Sequence, residues 1–314
     1  MARLSHSVSD SPFQIAQTSL SHSTHCWRTI SFDTRDSFRT RSGSGLGARQ
    51  LPAGRRGYTA RQRARASYPF HHPPCGRSRA VSRTIVIGDL HGCFDEAVTL
   101  LDRLQVTSSD RVIFAGDLVD RGPKPRECVE LAMKYECVLG NHEEKHLQQR
   151  TRAAEKLSRD HLETREALED RHYQYFAKLP LFIRLPEFGA AVVHAGCFPN
   201  VPLERQSTHH LLHLQHINPP ATKSFWPSKA PAGHRFWTNF WQGPERIIFG
   251  HSVLNRPLVT EWAVGLDTGA VFGRGLTALV LPEWKLVTVP TADFSGGRKT
   301  VAAYDVQAGV KAFS

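Results

Sequence analysis

Thr84-Ile85-Val86-Ile87-Gly88-Asp89-Leu90-His91-Gly92 is the stretch from which the rest of the chain can be read. Four β-branched residues in a row make a short strand, and its lack of polar alternation predicts burial on both faces. It ends in glycine, aspartate and histidine. The glycine lets the backbone turn tightly, and the strand behind it fixes where the following carboxylate and imidazole point. The same arrangement recurs in Gly116-Asp117-Leu118-Val119-Asp120-Arg121-Gly122, Gly140-Asn141-His142-Glu143, Val193-His194-Ala195-Gly196 and Phe249-Gly250-His251-Ser252. One Gly-Asp or Gly-His after a strand reads as a turn or cap more often than as a metal site. Five in one chain, each closing a strand, read together as one set of metal ligands.

The segments between these loops predict the architecture. Phe94 to Leu104 is an amphipathic helix with Ala97, Leu100, Leu101 and Leu104 on one side. Arg111 to Ala115 is a second strand, Pro125 to Tyr135 a second helix with proline where a missing N–H is tolerated, and Cys137 to Leu139 a third strand. This alternation places neighbouring strands in one sheet with helices covering it. Glu143 to about His172 is charged and helical, read as two helices. Leu181 to Leu185 and Ala190 to Val193 form a hairpin-like pair, and Arg246 to Phe249, Ala263 to Leu266, Leu276 to Leu281 and Lys285 to Val289 return to strand pattern. The expected fold is α/β, a two-sheet β-sandwich flanked by helices. Phe198 to Pro244, dense in Pro, His and Trp, reads as an insertion lying like a lid over the active-site face.

Charge sets the domain boundaries. Of 40 Lys+Arg and 29 Asp+Glu, residues 1 to 82 hold 13 Arg and three acids (Asp10, Asp33, Asp36), which leaves 27 bases and 26 acids for residues 83 to 314. The net charge of +11 therefore lies in the first segment, and the remainder is near neutral, so no nucleic-acid partner is expected. Residues 1 to 82, rich in Arg, Ser, Gly and His, are expected to be disordered. They read as an organellar transit peptide, as a basic extension without function, or as the product of a start codon placed too far upstream. Residues 83 to 295 form the expected catalytic domain and 296 to 314 a C-terminal tail. No apolar run reaches the length needed to cross a bilayer, so no membrane partner is expected. Six cysteines without paired spacing read as reduced thiols of an intracellular, cytoplasmic protein, or an organellar one if the first segment is a transit peptide. Cys93 has no activating pair nearby in sequence and is not read as a nucleophile.

The five motifs resemble those of the phosphoprotein phosphatase branch of the calcineurin-like metallophosphoesterases, over roughly residues 83 to 290. The first three match that pattern fully. In the last two the Ser/Thr phosphatases usually carry a Gly for Ala195 and a Thr for Ser252. His194-Ala195-Gly196, and Gly265-Leu266-Asp267-Thr268-Gly269 followed by Leu276-Thr277-Ala278-Leu279, resemble instead the bacterial diadenosine tetraphosphatase-like members. The resemblance implies two divalent metal ions: Asp89 and His91 on one, Asn141, His194 and His251 on the other, and Asp117 bridging both. A mixed set of carboxylate, amide and imidazole suits Mn, Fe or Zn better than an all-oxygen Mg or Ca site. It further implies that His142 is the general acid for the leaving oxygen, with Asp120 orienting and charging it, and that Arg121 binds the phosphate bidentately. Asp120 reads otherwise as a salt-bridge partner of Arg121. A second phosphate-binding arginine is expected between the fourth and fifth motifs, with Arg235 the candidate and Arg246 behind it.

Within the insertion, His209, His210, His213 and His216 read either as a third metal site or as one polar helix face. Trp226, Trp237 and Trp241 read as a stacking surface for a nucleobase or as packing. The substrate expected is a phosphorylated small molecule of nucleotide or dinucleoside polyphosphate type. A phosphoprotein substrate is the alternative, and a noncatalytic metal-dependent binding module is the minor one. Because the basic segment is separable from the near-neutral unit, deletion of residues 1 to 80 is expected to leave turnover within a few-fold in steady-state assays; a truncated protein that fails to fold or to hold metal would show the boundary to be misplaced.

Overall fold

In β1 (Thr84–Ile87) every residue is buried, but successive side chains enter different cores. Ile85 and Ile87 point to a helix-covered core, and Val86 points into the seam between two sheets. The computed structural model describes residues 83–218, 220–225, 229 and 232–296. The basic extension of residues 1 to 82, the C-terminal tail beyond Gly296 and the stacking candidate Trp226 lie outside the described residues. After β1 come α1 (Phe94–Arg103), β2 (Arg111–Phe114), α2 (Pro125–Ala132), β3 (Glu136–Cys137), α3 (Asn141–Gln148), α4 (Arg159–Ala167) and α5 (Asp170–Phe176). Next are β4 (Phe182–Leu185), β5 (Ala190–Val193), α6 (Thr208–His213), β6 (His216–Ile217), β7 (Ser224–Phe225) and β8 (Arg235–Phe236). The chain closes with β9 (Arg246–Phe249), β10 (Leu258–Val259), β11 (Ala263–Gly265), β12 (Leu276–Leu281) and β13 (Lys285–Val289).

The first sheet runs β13-β12-β1-β2-β3 and the second β10-β11-β9-β5-β4. In each, three neighbouring strands run parallel: β1, β2 and β3 in one, β5, β9 and β11 in the other. Strand alternation then builds the sandwich. Val86, Ile113, Val192, Ile248 and Leu279 fill the seam, Ile85, Val112, Phe114 and Ala278 face the helices, and Ala191, Val193, Ile247 and Phe249 face outward from the second sheet. Full burial of a Leu, Ile or Val stabilises by about 1.5–3 kcal/mol, so a one-residue register slip, which would exchange the two faces, is strongly disfavoured. The two-sheet α/β expectation holds. Among the described residues no helix is long and apolar enough to cross a membrane.

Three details differ from the sequence reading. Residues 143 to 172 form parts of three helices, because α4 ends where Leu168 turns extended to enter the core and α5 restarts with the Glu169 N–H donating to His172 Nδ1. Packing here overrides propensity. Helix α2 stops at Ala132, and the next residues close on i−3 carbonyls, Lys134 on Leu131 and Tyr135 on Ala132, the tighter winding common at helix ends. The segment after β5 is also less irregular than its composition suggests. It holds α6 and a three-stranded sheet, β7-β6-β8, and Leu203, Leu211, Ile217, Phe236, Trp237 and Trp241 from it cover the outer face of the second sheet. His216 lies on β6 rather than on the helix with His209 and His213.

The parallel strands deliver their C-terminal ends to one place, where the motif loops interlock. The Leu90 and His91 N–H groups donate to the Asp117 carbonyl, Gly92 N–H to Leu118, and Gly250 N–H to His194. Contact there leaves no room for side chains: a Cβ on Gly122 would meet the His91 carbonyl oxygen at 2.2 Å. Gly122→Ala is therefore expected to cost about 1–3 kcal/mol in urea unfolding. Gly189→Ala, where a Cβ meets nothing within 4 Å and only the positive φ is at stake, should cost about 1 kcal/mol; a smaller loss at 122 than at 189 would contradict this packing.

Candidate active site

Each motif loop begins where a buried strand ends, so its polar side chains leave a rigid base. The turns are tight enough to force non-glycine residues into left-handed backbone: φ is +46° at His91, +49° at Asp117, +67° at Asp120, +70° at Arg121 and +64° at His251. Such conformations cost free energy and concentrate where surrounding structure over-determines them. Glycines allow the closest approaches, since a Cβ on Gly250 would sit 1.9 Å from Asp89 Oδ1.

The loops bring nine of the ten sequence-nominated residues into one cluster around Asp117. His91 Nδ1 meets the Val119 carbonyl at 2.8 Å, and His194 Nδ1 meets the Ala115 carbonyl at 2.8 Å. A carbonyl only accepts, so each Nδ1 carries the proton and each Nε2 is turned into the cluster. His91 Nε2 lies 3.5 Å from Asp117 Oδ2, and His194 Nε2 lies 3.3 Å from Asp117 Oδ1. Asn141 Oδ1 is 2.8 Å from both His194 Nε2 and His251 Nδ1. The backbone N–H of His251 donates to both Asp89 carboxylate oxygens, at 3.1 and 2.9 Å. The groups His91–Asp117–His142 and Asp117–His194–His251 each hold their ligand atoms within 4.8 Å of one another and share Asp117.

Arg121 and His142 stand at the rim. Arg121 reaches His91 Nε2 with Nη1 at 2.6 Å and His142 Nε2 with Nη2 at 3.2 Å. The Asp120 carboxylate takes His142 Nδ1 at 2.6 Å and His146 Nε2 at 2.7 Å, and no Asp120–Arg121 ion pair forms among the described residues. Arg235, on β8, is exposed, and no described contact links it to the cluster. Arg246 is engaged elsewhere, donating to the Thr260 carbonyl at 2.7 Å with its guanidinium over Trp284.

Electrostatics show what the cluster requires. Asp89, Asp117 and Asp267 are each no more than 3% exposed. Burial, reinforced by Asp267 and Asp117, pushes the Asp89 carboxyl well up, and burial raises Asp267 to about 6 against the pull of Arg121. Burial also works against Asp117, but His194, His142 and His91 outweigh it and hold its carboxyl well below the usual range. His194 is pushed up to about 10, since Asp117 and Asp89 overcome its burial. Buried carboxylates without counter-charge are costly, and here they meet a proton-hungry imidazole at a point of converging lone pairs. That donor set fits divalent cations on the two sides of Asp117. Cys93, by contrast, is fully buried with its thiol pushed up to about 12 by burial and Glu96, an inert group.

Four residues given no role by the sequence reading belong to this site's framework: Glu143, His146, His161 and Asp267. Glu143 and Asp267 stand inside motifs quoted above, and the i, i+4 spacing of His142 and His146 signals a third. In the insertion, Trp237 and Trp241 are 0% and 2% exposed and pack in the second core, so the packing reading applies to both. His213 bonds Glu144 of α3 at 2.9 Å, and its ring lies 6.3 Å from that of His251, which sets α6 beside the cluster.

Residues 82–273 match the family model described as calcineurin-like phosphoesterase. The chain is 29% identical over 232 residues to the asymmetrical bis(5′-nucleosyl)-tetraphosphatase PrpE of Halalkalibacterium halodurans, covering 66% of this chain and 93% of that protein. It is 30% identical over 236 residues to PrpE of Bacillus velezensis, covering 66% and 92%. A crystal structure provisionally assigned as a diadenosine tetraphosphatase superposes with a TM-score of 0.61 at 30% identity, covering 68% of this chain and 96% of that one. Asp117 is the carboxylate common to both ligand groups, so Asp117→Asn is expected to lower bound metal and turnover together, by more than the about 10- to 100-fold typical of an outer partner; elemental analysis finding two metals and full activity would refute its bridging role.

Proposed function

The chain belongs to the calcineurin-like phosphoesterases, a family of hydrolases, and from that premise we propose that it hydrolyses dinucleoside polyphosphates or kindred nucleotide anhydrides. The observation that carries the reading is the Asp117-centred pair of ligand groups with Arg121 and His142 bonded to each other at its rim. Asp89, His91, Asp117, Asn141, His194 and His251 would hold two ions, with Mn, Fe or Zn favoured by the mixed donors. Such ions supply a water activated near neutral pH and a clamp on phosphoryl oxygens.

The protein's own groups do the rest. Arg121 carries a planar fork suited to two oxygens of a phosphoryl group. His142 has Nδ1 donating to Asp120 and Nε2 toward Arg121 and Asp117. Nε2 accepts from the Arg121 guanidinium here and is the atom that would carry a proton to a leaving oxygen on the cluster side. Burial pushes the Asp120 carboxyl up, but hydrogen bonds from His142 and His146 outweigh it and keep the group ionised. An ionised Asp120 stabilises the imidazolium that an acid must start from. The nucleotide part of the reading draws support from the two named relatives, each matched over more than nine-tenths of its length.

Incubation of the Mn-loaded protein with a dinucleoside tetraphosphate and, separately, with a phosphopeptide is expected to yield nucleotide products from the first at the higher kcat/KM; phosphate from the peptide with the tetraphosphate left intact would overturn the substrate class. In the same assays His142→Asn is expected to keep both metals yet lose about 10²- to 10⁴-fold in kcat for poor leaving groups, with a clearly smaller loss for p-nitrophenyl phosphate.

A further inference from the structure

Behind the rim, on the side of Asp120 away from the cluster, three polar residues are closed off from water. Asp120 is 2% exposed and His146 and His161 are 0% exposed. His142 and His146 are one turn apart on α3, and residues four apart on a helix are neighbours, about 6 Å between Cβ atoms. Both imidazoles therefore reach the same carboxylate, His142 on Oδ2 at 2.6 Å and His146 on Oδ1 at 2.7 Å. We propose that His146 is a positioning residue for the reaction: by holding the second oxygen of Asp120 it fixes the plane of that carboxylate and, through it, the orientation of His142. The inference rests on the reading of His142 as the acid.

A carboxylate bonded to one imidazole alone can still turn about its Cβ–Cγ bond and carry that imidazole with it. A second donor on the other oxygen removes the freedom. Because a carboxylate can only accept, the bond also fixes the proton of His146 on Nε2. The His146 Nδ1 has no hydrogen-bond partner among the described residues, so nothing there competes for the ring. His161 completes the device. Its ring stacks on His146 with centroids 3.7 Å apart and planes 5° from parallel, and neither of its nitrogens has a hydrogen-bond partner among the described residues. It acts as a flat wall that stops His146 tilting and keeps water off Asp120. Burial, with His146 beside it, lowers His161 to about 4, so the wall is neutral. The three residues also have the makings of a metal site, but two imidazoles stacked face to face aim their lone pairs in parallel rather than at a common ion. The arrangement suits orientation better than ligation.

The test uses the full chain loaded with Mn, a series of aryl phosphates from p-nitrophenyl to p-methoxyphenyl, and metal analysis of every variant. His146→Leu removes the donor, and His146→Gln keeps an N–H where Nε2 lies. His146→Leu is expected to lower kcat about 10- to 100-fold for the poorest leaving group, less for p-nitrophenyl phosphate, with KM within about threefold and two metals retained. His146→Gln should recover most of the loss, and His146→Leu added to Asp120→Asn should cost little more than Asp120→Asn alone. Equal losses across the series, no recovery with Gln, additivity with Asp120→Asn, or loss of bound metal would each overturn the proposal. Should His146→Leu fail to fold, the Gln variant decides: near-wild-type dependence on leaving group supports the positioning role, and a uniform loss refutes it. His142→Asn run in parallel separates the two readings. A steep response there with none at His146 sinks this inference alone, whereas a flat response at His142 removes the acid and both readings with it.

Discussion

Glu143 is the knot on which the site depends. Its side chain is fully buried and accepts four backbone N–H groups: Asp117 at 2.9 Å, Leu118 at 2.8 Å, Val119 at 3.3 Å and Gly140 at 3.1 Å. Those donors belong to the loops after β2 and β3, so one carboxylate ties two strand ends together and closes the start of α3. Burial and the nearby Asp117 push its carboxyl up to about 7, with His142 and His194 opposing them. Orphan N–H groups at a helix start need acceptors, and a carboxylate at that end also suits the helix dipole. Because α3 is anchored in this way, Asn141 is set toward the ligand cluster while His142 and His146, one turn apart on a neighbouring face, are both set toward Asp120. The ligand side, the rim and the buried support of Asp120 thus share a single rigid element.

From that anchor the chemistry is organised by polarity. Asp117 faces imidazoles on both sides, Asp89 takes the backbone of His251, and Asp120 bonds two imidazoles, with a third, His161, 3.9 Å from its Oδ2 and no described ion pair to arginine. Each acid is buried, so each needs a donor or a cation close by. Where imidazoles turn Nε2 inward, because a carbonyl has claimed Nδ1, the demand falls on cations. Where the imidazoles of one helix turn inward on a lone carboxylate, the demand is met by protons. The same residue types therefore serve two purposes a few ångströms apart, and the backbone partner of each ring decides which.

The insertion also follows from burial. The helices after β1, β2 and β3 cover the first sheet, while the outward residues of β5 and β9 need cover from elsewhere. Trp237 and Trp241 supply much of it, and Gly196 is small because a Cβ there would meet the Trp237 ring at 2.6 Å. Covering that face sets α6 beside His251. The histidines on α6 are therefore neighbours of the site as a consequence of core packing.

What the sequence by itself determined is local. A strand that must be buried on both faces, followed at once by glycine and a ligand-type residue, can be recognised at Ile87-Gly88-Asp89 or Phe249-Gly250-His251, because direction along a strand and freedom at a glycine are properties of a few consecutive residues. Most strands of the two main sheets were legible for the same reason, but not the sheet each joins. Strands β12 and β13 come from the second half of the chain, read as a separate sheet, and yet they lie beside β1, while the insertion read as irregular holds β7-β6-β8. What only the tertiary structure decided is which distant residues meet. The His251 N–H finds Asp89 across 162 positions of chain, His161 stacks on His146, Leu168 breaks a helix to enter the core, and Arg235 lies exposed on a small strand instead of joining Arg121. None of these is encoded by periodicity or spacing. They depend on how two twisted sheets are brought face to face, and that geometry is settled by the summed burial of the whole core.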